Sequence, residues 1–240
     1  MMLERRVYGT GSRVYVGLHG WNGSGDTFAP LAEHLPGDVK LVAVDLPGCG
    51  GSPSPEDWSL ERVVDDICET LDEIASDGIC LLGSCSGAAL ALHAAERIPD
   101  RLESVILLEP FAFLPSYLSI FLTPIVGPIA YWSSFGNPIG RWITNTALGD
   151  HRRDETDMMA SFAGESAEVP YRYLEVFDAM RPAESFANLP TSKRIIVGEH
   201  TFGAVRKSLR IWQDTWSDID VVQLADTGHL IIQEAPEAVA

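Results

Sequence analysis

The residues best placed to do chemistry in this chain are Gly83-Ser84-Cys85-Ser86-Gly87. They form a Gly-x-nucleophile-x-Gly frame with a cysteine at its centre. The frame follows an apolar run, Ile79 to Leu82, and precedes an alanine-rich helical stretch, Ala88 to Ala95. A sharp strand-to-helix turn needs glycine on both sides, because a Cβ there meets neighbouring backbone. Such a turn lifts one side chain above a sheet and puts the next backbone N–H beside it. Serine usually stands at the centre. Cys85 stands there in this chain, and a thiol, with its pKa near ~8.5, ionises more readily than a hydroxyl. The start of the helix that follows favours the thiolate further.

A side chain presented in this way needs a rigid sheet beneath it. Short apolar runs alternate with helical patterns: Val14–Leu18, Leu41–Val44, Ile79–Leu82, Val105–Leu108, Ile195–Val197 and Val221–Leu224 read as strands. Between them, Leu60–Ala75 carries Leu60, Val63, Val64, Ile67, Leu71 and Ile74 at helical spacing, and Ser86–Arg97 reads as a helix ended by Pro99. The alternation implies an α/β fold, a mostly parallel sheet with helices on both faces. It breaks between Glu109 and Lys193. Residues 110–140 hold no charged side chain, yet Pro115, Pro124, Gly127 and Pro128 interrupt them too often for a membrane span. The expected organisation is a body of residues 1–109 and 190–240 with an inserted apolar lid, 110–189, in which His151–Ser161 and Pro170–Arg181 form short helices.

Three further landmarks stand in order with the elbow. His19-Gly20-Trp21-Asn22-Gly23-Ser24 follows the first of these strands, Asp45-Leu46-Pro47-Gly48-Cys49-Gly50-Gly51-Ser52-Pro53 the second, and Thr227-Gly228-His229 the last. Together the four motifs resemble the α/β-hydrolase superfamily, over nearly the whole chain outside the lid, and no closer family. The resemblance implies Cys85 as nucleophile, His229 as its base, and the backbone N–H groups of Trp21 and Ser86 as an oxyanion hole. It implies a pocket walled by Trp21, Phe111, Phe113 and Leu230, and roles for His19, Asp45 and Ser52 in bracing loops. The superfamily's acid usually ends a Gly-x-x-Asp sequence; here Gly198-Glu199-His200-Thr201 puts Thr201 in that place. Glu109, at the end of the strand after the elbow helix, is the expected substitute, as in certain dehalogenases, with Glu199 the rival. A carboxylate within Leu-Leu-Glu-Pro-Phe costs several kcal/mol to bury bare, which favours Glu109 as the partner of a histidine.

These residues imply hydrolysis of an ester or thioester of a small apolar substrate through a Cys85 acyl-enzyme. Acyl transfer by the same intermediate and a silent ligand-binding or signalling member, which Thr201 supports, stay open beside it. No metal or other cofactor is implied. Against 34 acidic residues the chain sets 17 basic ones, a formal charge of −17, which excludes nucleic acid as a partner and disfavours anionic surfaces. A lid of this composition also suits transient contact with lipid or protein. Four cysteines without C-x-x-C spacing, and an N-terminus without an apolar signal region, make the cytoplasm the expected compartment.

Overall fold

The computed structural model describes residues 1–162 and 167–240. Its sheet runs β1 (Arg5–Tyr8), β2 (Arg13–Leu18), β3 (Val39–Val44), β4 (Ile79–Ser84), β5 (Leu102–Leu108), β6 (Ser192–Gly198) and β7 (Asp220–Leu224) along the chain. In space the order is β1-β3-β2-β4-β5-β6-β7, every pair parallel except β1 with β3. The β4–β5 pair lies at the centre, and its strands read Ile-Cys-Leu-Leu-Gly-Ser and Leu-Glu-Ser-Val-Ile-Leu-Leu. Near-continuous apolar runs are what a strand covered on both faces requires.

Helix α1 (Leu60–Ile74) starts at Ser59, whose hydroxyl accepts from the Arg62 N–H, and buries Leu60, Val63, Val64, Ile67 and Leu71. Helix α2 (Ser86–Arg97) is buried through Ala95. Its small residues let it lie close on the sheet, where Leu90 and Leu92 join Val16, Leu81 and Val105 in the main core.

Between β5 and β6 the chain forms short helices: α3 (Ser116–Ser119), α4 (Val126–Phe135), α5 (Pro138–Ala147) and α6 (Glu168–Asp178). Residues 163–166 of this insertion lie outside the described residues. The insertion has its own small core of Tyr131, Phe135, Met159, Phe162 and Leu174. The expected helix over His151–Ser161 is absent. That stretch makes turns and two 3₁₀ pieces, Gly149–His151 and Ala160–Phe162. Asp157 accepts from the Met159 N–H and holds a local turn that competes with helix. No single described helix is long and apolar enough to cross a membrane. Helix α7 (Gly203–Thr215) and the short α8 (Ile231–Glu234) complete the elements that matter to the site.

Candidate active site

The elbow lies between β4 and α2. Cys85 sits there at φ 55° and ψ −118°, a conformation costly for a non-glycine residue and held only when its surroundings over-determine it. Those surroundings are tight. A Cβ on Gly83 would stand 2.5 Å from the Ala88 Cα, and one on Gly87 would collide with the carbonyls of Leu18 and His19. The Cys85 N–H donates to the Leu108 carbonyl at 2.8 Å, tying the turn to the central strand. Ser86 opens α2, so its N–H is among the first four that have no partner within the helix. The loop after β2 comes equally close: a Cβ on Gly20 would lie 2.9 Å from the Cys85 Cβ.

His229 follows β7 and is buried. Its Nδ1 lies 2.8 Å from Oε2 of Glu109. Glu109 itself, 1% exposed and at φ 55°, leaves the end of β5 directly toward the histidine. Oε1 of Glu109 accepts from the Gly198 N–H at 2.5 Å, and Oε2 accepts from the Thr201 hydroxyl. Three partners thus compensate a carboxylate whose burial alone would be prohibitive. Thr201, in the place where an aspartate was expected, donates its hydroxyl to Glu109 instead. Glu199 is exposed and turned away, accepting from the Asp226 N–H at 3.0 Å. With His200 and Asp226 it forms an exposed acidic group on the surface.

Burial alone would lower the basicity of His229. The Cys85 sulfur facing the imidazole and the Glu109 carboxylate outweigh it, and the histidine is held up to about 10. His19 is the opposite case. Burial pushes it down to about 4, so it is neutral, its Nδ1 donating to the Gly20 carbonyl at 2.8 Å and its Nε2 accepting from the Leu46 N–H at 3.0 Å. It ties two loops together and has no part in proton transfer. Asp45 binds Arg6 and accepts from the Gly25 and Gly51 N–H groups, while the Ser52 hydroxyl donates to the Asp45 carbonyl. Both hold the glycine-rich loop.

Several residues here carried no motif. Phe202 packs on the imidazole with ring centroids 4.5 Å apart. The His151 carbonyl accepts from the His229 N–H at 2.9 Å, so the insertion anchors the histidine's backbone. Glu234 accepts from the Gly228 N–H at 2.6 Å and the Arg153 N–H at 3.1 Å, clamping the histidine loop to the insertion. Nothing in the sequence around Glu234 signals this contact; its burial in the structure does.

Two cavities meet at the elbow. One of about 560 Å³ lies under the insertion, where Trp21, Cys85, Tyr117, Phe135, His229 and Leu230 face it. The other, about 330 Å³, extends over α2 toward Phe113, Phe177, Phe186 and Trp212. Trp21, Cys85, Phe111 and Leu118 border both. The Trp21 indole donates to the Pro170 carbonyl at 2.7 Å and packs edge-on against Phe135 and Phe162, joining the loop after β2 to the roof. Burial and the neighbouring Cys85 push the Tyr117 hydroxyl up to about 12, so it remains a hydrogen-bond donor at neutral pH.

A sequence profile described as "Alpha/beta hydrolase family" matches residues 15–240. A pimeloyl-(acyl-carrier protein) methyl ester esterase of Neisseria meningitidis is 28% identical over 180 residues, covering 72% of this chain and 68% of that protein. A serine hydrolase-like protein of Danio rerio is 30% identical over 125 residues, 50% of this chain and 38% of that protein. The solved structure of an enol-lactonase of Burkholderia xenovorans superposes with a TM-score of 0.77 at 19% identity, covering 99% of this chain and 93% of that one, a likeness of fold.

These relatives correct one expectation. They support a serine-type ester hydrolase, and give no support to a cysteine-nucleophile enzyme with a Cys-His-Glu triad. The physical reason is that the glycine frame specifies a turn and not a reagent. Sulfur and oxygen both fit at the end of the same Cβ, so spacing cannot convert the presence of a thiol into a role for it. The serines beside this position are Ser84 and Ser86, whose buried hydroxyl has no hydrogen-bond partner among the described residues.

Proposed function

Since the chain belongs to the alpha/beta hydrolase family, we propose that it hydrolyses esters of small apolar substrates at the junction of the two cavities. The Glu109–His229 pair, buried where they meet, carries this reading. In it, Glu109 orients His229, and His229 takes and returns the proton of the attacking and leaving oxygens. The N–H groups of Trp21 and Ser86 receive the charge that develops on the carbonyl oxygen. The two cavities divide the substrate: the narrower one over α2, past Phe113, takes one side of the ester and the larger one, past Phe111 and Leu230, the other. Residues 110–189 act as the lid over a body of 1–109 and 190–240. Four cysteines that form no disulfide with one another fit a reducing compartment such as the cytoplasm.

The test is hydrolysis of p-nitrophenyl esters of increasing acyl length by the native chain and by H229A. Hydrolysis of short and medium esters that falls at least a hundredfold in H229A supports the reading. Equal rates in the two proteins, or no hydrolysis of any ester, refute it.

A further inference from the structure

Nine of the eleven large apolar side chains left exposed among the described residues lie between Tyr117 and Ile143. Ile139, Trp142 and Ile143 share one face of α5 at helical spacing, and Ile129 and Trp132 share one of α4, with Ile125 immediately before its first residue. Their exposures run from 49% for Trp132 to 82% for Ile125. Helix α4 packs on α5, so these faces adjoin. Multiplying such exposures by the area of each side chain gives on the order of 1,000 Å² of apolar surface, beyond the few hundred Å² a typical monomer leaves open.

The charge of this surface identifies its partner. From Pro110 to Leu148 the only charged residue is Arg141, whose guanidinium donates to the Phe135 carbonyl at 3.2 Å. The face is otherwise uncharged, while the whole chain carries −17. A second copy or an acidic protein would bring like charges together, and an anionic bilayer would repel the body. A zwitterionic lipid surface meets the uncharged face without net repulsion. The face also carries two exposed tryptophans, Trp132 and Trp142, a residue type that settles at headgroup level. The same helices turn Phe135, Thr144 and Ala147 inward to line the larger cavity, so the lid joins a lipid phase to the pocket through its own thickness.

We propose that α4 and α5 dock the protein on neutral, zwitterionic lipid surfaces, with the pocket mouth toward the lipid. This rests on the ester-hydrolase reading for its purpose, and on the exposed face alone for the binding itself. Co-sedimentation with phosphatidylcholine vesicles tests it, comparing the native chain with I139S/W142S; neither residue lines a cavity. The expected result is binding by the native chain that drops at least tenfold in the variant and weakens when phosphatidylglycerol is added. Unchanged circular dichroism and unchanged hydrolysis of a dissolved p-nitrophenyl ester accompany it. No binding by the native chain, equal binding by the variant, or binding that strengthens with phosphatidylglycerol overturns the proposal. So does a native dimer by light scattering that the variant abolishes without vesicle binding, since a second copy then covers the face. Vesicle binding without ester hydrolysis in any form would leave docking intact and sink the catalytic reading alone.

Discussion

Replacing Cys85 by serine isolates what the sulfur does to the histidine beside it. In the native chain His229 is held at about 10, against an ordinary 6.5. At pH 7.5 a group held that far above neutrality is protonated in nearly all molecules, since each unit of pKa is a factor of ten. A base must be neutral to accept a proton. Burial disfavours the imidazolium, while Cys85 and Glu109 favour it. In Cys85→Ser the sulfur's contribution disappears and only Glu109 opposes burial, so His229 falls toward its ordinary range. The neutral fraction at pH 7.5 then rises by roughly two orders of magnitude. The variant also sets a hydroxyl where the elbow presents the sulfur. The assay is kcat for a p-nitrophenyl ester between pH 5.5 and 10, read by absorbance. C85S is expected to reach a plateau near neutrality and to exceed the native rate at pH 7.5 at least tenfold. The native profile should climb toward pH 10. A variant slower than the native chain at pH 7.5, or one whose rate still climbs toward pH 10, refutes the reasoning.

The remaining expectations concern the supports. In the C85S background, Glu109→Gln removes the charge that orients the imidazolium and should lower kcat by about 10² to 10⁴, with Glu199→Gln as the unaffected control; a loss below tenfold would remove Glu109 from the mechanism. His19 has a folded pKa of about 4, below its unfolded 6.5. Its contribution to stability is therefore complete above 6.5 and is lost as pH falls through 4, by about 3 kcal/mol in all. Urea unfolding of the native chain and H19Q across pH 3.5–7 should show that acid loss in the native chain and a flatter curve in the variant. Gly87→Ala forces a Cβ against two carbonyls and should cost about 2–3 kcal/mol in the same assay; a neutral result would show that the elbow can relax.

The strands that lie within the sheet were legible because burial on both faces demands unbroken apolar runs, as in Ile79–Leu82 and Val105–Leu108. The edge strand β1, Arg-Arg-Val-Tyr, has no such run and gave no signal. Helix α7 also escaped: its buried face is only Val205, Ser208 and Trp212. At the site, Glu109 was legible because a carboxylate among leucines needs a partner. The roles of Thr201, Glu234 and the His151 carbonyl were not, because each depends on contacts between segments far apart in the chain. The identity of the attacking group was misread from Cys85 because composition at a turn does not report reactivity.

One consequence follows from Glu109 standing at the end of β5. The elbow and its acid lie on adjacent strands, and both precede the insertion in the chain. Only His229 comes after it, seated against the insertion's own backbone at His151. The insertion can therefore be exchanged or resized without changing the spacing of elbow and acid, provided the new segment supplies a carbonyl in the place of that of His151. A redesigned insertion would have to reproduce the contacts of His151 and Arg153 with the histidine loop, the His229 N–H on the His151 carbonyl and the Arg153 N–H on Glu234.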